Sequence, residues 1–414
     1  MNHLSVVDGI LHVEQLALPE LARTFGTPCY VYSRAALGAA MQGYKDALAG
    51  RDALICYAVK ANSNLAILSL FARLGAGFDI VSRGELARVL AAGGDAGKVV
   101  FSGVGKSATE IREALSLGIM CFNVESEAEL ERIENIAAAL KKRAPVALRV
   151  NPDVDPRTHP YISTGLRNNK FGIAIDQARA IYRRASQSQH LAVRGIACHI
   201  GSQLLDAEPA AEAAAKVLAL ADQLASDGIA LQNLDLGGGM GIRYLDEDAP
   251  VPATYLAPLL AATAGRSERL VFEPGRSLVG NAGLLLTRVE YLKRGTEKNF
   301  AVVDAAMNDL MRPALYDAYH DIVPVAASRH TALPYEIVGP VCESGDFLGH
   351  ARKLAIAAGD LLAILSAGAY GMTMSSNYNS RPRAAEVLVD GAAAHLVRRR
   401  ESIADLYAGE SSVP

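Results

Sequence analysis

The 414-residue chain has no strong charge bias, no long apolar run and no paired-cysteine motif. Its 41 lysines and arginines against 44 aspartates and glutamates leave a net charge of −3. No basic stripe with interleaved aromatics runs along it, which argues against a nucleic-acid scaffold. The longest uncharged run, residues 361–380, is broken by glycine, serine and asparagine and makes a poor membrane span. Asp8 and Glu14 fall where an export signal needs apolar residues. The five cysteines (29, 56, 121, 198 and 342) are odd in number and form no Cys-x-x-Cys pair. A reduced, cytoplasmic setting fits that usage. What is present is ordinary for a globular protein: half the residues are hydrophobic, 21% are charged, and the length suits two or three domains.

Between residues 53 and 277 one pattern recurs, an apolar run, a polar turn and then a helical stretch. The runs are ALICYAVKA (53–61), AGFDIVS (76–82), KVVFSG (98–103), MCFNVES (120–126), PVALRVNP (145–152), VRGIACHIGS (193–202), LQNLDLGGG (231–239) and RLVFEPGRS (269–277). Helical patterns such as 64–75, 107–118 and 207–227 lie between them, several closed by glycine. Strands alternating with helices imply parallel pairing. Eight such units predict a closed (β/α)8 TIM barrel. A doubly wound sheet is the competing fold, but it wants a glycine-rich turn after the first strand, and none is there. The flanks read as mainly strand-like, with hairpin signals at Asp8-Gly9 and Asp390-Gly391. The expected architecture is therefore an α/β barrel inserted into a mainly antiparallel β-domain formed by both chain termini. Its boundaries are 1–28 and 281–414 for the β-domain and 29–280 for the barrel.

Barrel enzymes place their sites at the C-terminal ends of the strands. Lys60 ends the first run, Asp79 lies in the second, and His199, Gly201 and Ser202 end the sixth. Gly237-Gly238-Gly239 ends the seventh and Glu273-Pro274-Gly275-Arg276 the eighth. Each has a plainer explanation taken singly: a solvated lysine, a satisfied core histidine, a tight turn, a local ion pair. Together they crowd one rim. A buried ammonium costs several kcal/mol unless it is paired or loses its proton. Desolvation favours the free amine, and a free amine captures an aldehyde. Three glycines let backbone N–H groups approach an anion. A lysine, an anion cradle and a buried carboxylate are the parts that pyridoxal phosphate requires.

The chain resembles the alanine-racemase-like (fold type III) pyridoxal-phosphate decarboxylases over nearly its whole length. The marks are YAVKAN (57–62), FDIVSRGE (78–85), HPYISTG (159–165), KFG (170–172), CHIGSQ (198–203), LGGGMGI (236–242), EPGRS (273–277), CESGD (342–346) and GAYGMTMSSNYNSRPR (368–383). The resemblance implies that Lys60 carries the cofactor and that His199 stacks on its ring. It implies that Ser202, Gly237, Gly238, Gly239, Pro274, Gly275 and Arg276 hold the phosphate, with Asp79 also in the cofactor-binding set. Glu273 is implied to keep the pyridine nitrogen protonated, and Tyr370 to touch cofactor and substrate. Cys342 is implied as proton donor with Glu343 beside it, both given by the other subunit of a homodimer. Arg276, Arg312 and Tyr316 are implied to hold the substrate's far end.

The implied reaction is decarboxylation of meso-2,6-diaminopimelate to L-lysine and CO2. A distal carboxylate calls for a fork of arginine donors, which Arg276 and Arg312 supply, and a distal amine calls for an anion, which Glu343 supplies. Ornithine, arginine or carboxynorspermidine as substrate, a racemase, and a binding protein without chemistry are the alternatives. A free cysteine such as Cys342 is also often no more than a small buried hydrophobe.

Overall fold

The computed structural model describes residues 3–155 and 169–413. The HPYISTG motif at 159–165 lies outside the described residues. The described chain divides into two compact units. One is Ala40–Ile242 with Asp248–Ser277; the other is Met1–Ala39, Arg243–Glu247 and Leu278–Pro414.

The first unit is a barrel. Its strands are β1 (Ala53–Ala58), β2 (Gly77–Ile80), β3 (Val99–Phe101), β4 (Cys121–Val124), β5 (Ala144–Asn151), β6 (Leu191–Ala197), β7 (Asn233–Asp235) and β8 (Arg269–Phe272). Each pairs in parallel with the next, and β8 pairs with β1 to close the ring. Every one of the eight apolar runs became a strand. The reason is burial on both faces, which demands an unbroken hydrophobic run rather than alternation. In β1, Leu54 and Cys56 join an interior cluster with Val100, Cys121, Ala147 and Val271. Tyr57 points the other way and packs on Phe71 of helix Leu65–Arg73, with ring centroids 4.7 Å apart.

The helices start and stop where their end signals sit. The Asn64 side chain accepts the Ala66 N–H at the head of Leu65–Arg73. Ser107 and Glu110 form a capping box on Ala108–Leu117, which Gly118 ends in a left-handed conformation at φ 73°.

The second unit is mostly antiparallel. Its long central strand, Gly283–Lys293, pairs antiparallel with Phe300–Val303, Leu361–Ile364 and Cys29–Ser33. Both hairpin signals hold. Asp8 and Gly9 turn at φ 49° and 76° between Leu4–Val7 and Ile10–Val13, and Gly391 turns between Ala385–Asp390 and Ala393–Arg398. The sequence boundary at residue 29 needs correction. Cys29–Ser33 lies in the terminal unit, between Gly283–Lys293 and Ala385–Asp390. All five of its residues are buried, so it reads like a barrel strand and carries no period to say which sheet it joins. All five cysteines are free, and only Cys342 is exposed. Among the described residues no helix is long and apolar enough to cross a membrane.

Candidate active site

The strand ends of the barrel surround a cavity of about 420 Å³, lined by Lys60, Asp79, Asn123, Arg149, His199 and Glu273 among others. Lys60 reaches it because β1 ends at Ala58 and the chain makes one tight helical turn, Val59–Ala61. The YAVKAN motif braces itself there. Tyr57 Oη donates to the Asn62 carbonyl at 2.8 Å, and Asn62 Oδ1 accepts the Asn64 N–H at 3.1 Å.

Lys60 Nζ lies 2.6 Å from Asp79 Oδ2. The parallel register sets Ala58 opposite Asp79, so the pairing follows from the β1–β2 ladder. The Lys60 side chain is 38% exposed while Asp79 is fully buried. The amine on which the sequence reading depends is thus partly exposed and faces a buried carboxylate. Asp79 Oδ1, by contrast, is buried with no hydrogen-bond partner among the described residues.

Two more buried acids stand close by. Asn123 Nδ2 donates to Asp235 Oδ2 at 3.1 Å and to Glu273 Oε1 at 3.2 Å. Burial pushes the Glu273 carboxyl well above the usual carboxylate range, and the charges of Asp235 and Asp79 push it further. Burial also raises Asp235, to about 6, against the opposing effect of its hydrogen bonds to Glu273, the Gly237 N–H and Asn123. Glu273 is thus the member of the group that keeps its proton.

His199 is held neutral, first by burial and then by the positive charges of Arg149 and Lys60. The Gly238 N–H donates to its Nδ1 at 3.3 Å, which places the ring proton on Nε2. Arg149 donates to the His199 carbonyl at 3.3 Å, pairs with Glu125 at 2.9 Å, and lies 4.9 Å from the Phe171 ring centroid. Glu125 also accepts the N–H groups of Gly103 at 3.1 Å and Gly172 at 2.8 Å, tying three loops around the cavity.

The glycines answer first to packing. A Cβ on Gly237 would meet the Cys198 carbonyl at 2.4 Å, one on Gly238 the Glu273 carbonyl at 2.1 Å, and one on Gly239 the Gly201 carbonyl at 2.5 Å. Two of their N–H groups are engaged within the protein, Gly237 with Asp235 Oδ1 at 2.9 Å and Gly238 with His199. Gly275 similarly lies against Ala58 and Ala61, and the Pro274 carbonyl accepts the Ala58 N–H at 3.0 Å. Arg276 is buried and donates to Ser202 Oγ from Nε at 3.3 Å and Nη2 at 3.2 Å.

The remaining site candidates belong to the terminal unit. Arg312 is buried at the head of helix Arg312–Tyr316, whose last residue is the partly exposed Tyr316. Tyr370 holds a left-handed φ of 55°, a costly conformation for a bulky residue and one concentrated at functional sites. Cys342 and Glu343 are exposed. The Cys342 N–H donates to Asn379 Oδ1 at 2.7 Å, and Tyr378 Oη donates to Glu343 Oε2 at 3.3 Å. Asp346 accepts the N–H groups of Met307 at 2.6 Å and Val341 at 2.8 Å, shaping the same loop. Sequence reasoning missed Asn123, Arg149 and Asp235. Their signal was a polar residue inside an otherwise apolar strand run for Asn123 and Arg149, and a carboxylate just before the triple glycine for Asp235.

A family model described as pyridoxal-dependent decarboxylase, pyridoxal binding domain, matches residues 34–280. The diaminopimelate decarboxylase of Pseudomonas aeruginosa is 60% identical over 414 residues, 100% of both chains. Among solved structures, diaminopimelate decarboxylase from Helicobacter pylori complexed with L-lysine gives a TM-score of 0.92 at 45% identity, covering 94% of this chain and 98% of that one. The M. jannaschii enzyme in co-complex with L-lysine gives 0.94 at 38% identity, covering 100% and 98%.

The buried acids set a pH dependence. An acid whose folded value lies above its unfolded one binds more protons when folded. Asp235 therefore contributes full stability below 3.8 and loses it as the pH rises through about 6. The thermal midpoint of cofactor-free protein is expected to fall across that window, and Glu273 extends the fall to higher pH. Calorimetry at a series of pH values checks this: Asp235→Asn should flatten the fall, and an unchanged slope would contradict the assignment.

Proposed function

The chain belongs to the diaminopimelate decarboxylases within the pyridoxal-dependent decarboxylases, and on that premise we propose how its residues convert meso-2,6-diaminopimelate to L-lysine and CO2. The observation that carries the reading is one lysine amine on a cavity wall that also carries the buried acids Asp79 and Glu273.

The residues present fit pyridoxal phosphate. The cavity is within the size range of small-molecule sites, roughly 300–1,000 Å³. Asp79 Oδ1 is an orphaned buried acceptor, and the acids around it outnumber the lysine, so a ligand that brings a protonated nitrogen relieves them. The cofactor, when bound, supplies an aldehyde for an amine and an electron-poor ring that accepts the electron pair freed as CO2 departs.

The chain does the rest. Lys60 holds the cofactor through its amine, with Asp79 orienting that amine until it is used. Glu273, which keeps its proton in the cofactor-free site, would yield that proton to the ring nitrogen and pair with it as a carboxylate, and His199 would contribute its neutral imidazole to holding the ring. Ser202, Gly237–Gly239 and the backbone from Pro274 to Arg276 hold the phosphate end. Arg276 serves the substrate as well, together with Arg312, Tyr316 and Tyr370. Loss of CO2 leaves an electron pair on carbon, and one proton must be delivered there. Cys342 delivers it, and Glu343 reads the distal amine. Both come from a second copy in a homodimer of the cytoplasm. The exposure of Cys342 and the loop anchoring by Asn379 and Asp346 support that role.

Two experiments test this reading. Lys60→Ala should abolish both the visible absorption of the bound cofactor and CO2 release from meso-diaminopimelate, while wild-type protein releases CO2 from it faster than from ornithine. Normal turnover in the variant, or a preference for ornithine, would overturn the reading. Lys60→Ala and Cys342→Ala, each inactive alone, should regain roughly a quarter of wild-type activity when unfolded together and reassembled as mixed dimers with one intact site. No recovery would mean that Cys342 acts within its own subunit.

A further inference from the structure

We infer that His320 is a positioning residue that holds the Arg312 guanidinium for the carboxylate at the substrate's far end. The inference rests on the reading of Arg312 given above and names what makes that arginine effective.

His320 is fully buried within the terminal unit. Its Nδ1 lies 2.8 Å from the Leu365 carbonyl, an atom that can only accept. Nδ1 therefore carries the ring proton. Its Nε2 lies 2.8 Å from Arg312 Nη1, a group that can only donate. Nε2 is therefore the acceptor, and the chemistry of the two neighbours fixes the tautomer between them. Tyr244 completes the support. Its ring lies 4.6 Å from the Arg312 guanidinium carbon and meets His320 edge-on at 5.2 Å between centroids. Arg352 Nη2 donates to the His320 carbonyl at 3.1 Å and anchors the backbone that carries the ring.

The choice of a histidine has a physical consequence. A carboxylate in its place would hold the guanidinium by cancelling its charge and would compete with an incoming carboxylate. A neutral imidazole holds it and leaves the charge intact. The Leu365 carbonyl, drawing on the ring N–H, makes Nε2 a better acceptor. Arginine has a long stem with many rotamers, and fixing it before the substrate arrives removes that ordering cost from binding.

Asparagine and glutamine separate the two ring nitrogens. His320→Asn can replace Nδ1 but cannot reach the Nε2 position, so it keeps the Leu365 contact and releases Arg312. His320→Gln can place an amide oxygen near Nε2. With holoenzyme and meso-diaminopimelate, His320→Asn should raise KM on the order of tenfold with kcat and cofactor absorption little changed. His320→Gln should retain most of the wild-type KM. In an Arg312→Ala background, neither substitution should raise KM further. A wild-type KM in His320→Asn, beside a raised KM in Arg312→Ala, overturns the inference alone. The same holds if His320→Asn or His320→Gln adds its full effect to Arg312→Ala, because the histidine then acts through the fold. An unchanged KM in Arg312→Ala overturns the reading of Arg312, and the inference with it. Should His320→Asn not fold, His320→Ser, which cannot reach Arg312 either, decides the question alone and combined with Arg312→Ala by the same additivity.

Discussion

Buried carboxyl groups at the barrel's strand ends are the constraint from which the site follows. Asp79, Asp235 and Glu273 are removed from water, and each must find a cation, a proton or hydrogen-bond donors. Asp79 takes the Lys60 amine, because the register sets it opposite the end of β1. Asp235 takes the Gly237 N–H and the Asn123 amide. Glu273, last in line and beside two negative groups, keeps its proton. A pocket built this way carries a standing demand for positive charge. A cofactor whose ring nitrogen can be protonated would meet that demand.

Close approach of strand ends explains the glycines as fully as anion binding does. Cβ atoms at Gly237, Gly238 and Gly239 would strike carbonyl oxygens of neighbouring strand ends. Gly275 is confined by Ala58 and Ala61 beside the lysine turn. A Cβ at Gly237 or Gly238 would press on the backbone that carries His199 or Glu273, and one at Gly275 on the residues flanking Lys60. The glycine positions therefore keep the reactive side chains in register with one another, whatever else their N–H groups do.

The barrel was legible because its strands are buried on both faces, and that burial writes a continuous apolar run into the sequence. The rim was legible because Lys60, His199 and Glu273 interrupt those runs at their ends. Three things were hidden. Cys29–Ser33 has the same composition as a barrel strand, and only its partners Gly283–Lys293 and Ala385–Asp390 assign it to the other sheet. The state of Lys60 depends on which carboxylate the ladder sets opposite it, a matter of register that no single strand records. The left-handed backbone of Tyr370 leaves no mark in a sequence, because tyrosine has no preference for it. Asn123 and Asp235 lay between. They were visible as polar residues in apolar runs, and they gain meaning only when the closed barrel brings β4 and β7 to the side of Glu273.

Two cations, Lys60 and Arg312, have different kinds of partner. In the barrel, Lys60 is paired with a carboxylate, which keeps the amine oriented until chemistry claims it. In the terminal unit, Arg312 faces a neutral imidazole and the face of an aromatic ring. Neither of those partners cancels its charge. A lysine that must give up a proton to react gains from a nearby base. An arginine proposed to attract an anion and never to react would gain from a neutral imidazole that holds it in place. The His320 tautomer, fixed by one backbone carbonyl, is the means by which the fold obtains that second condition.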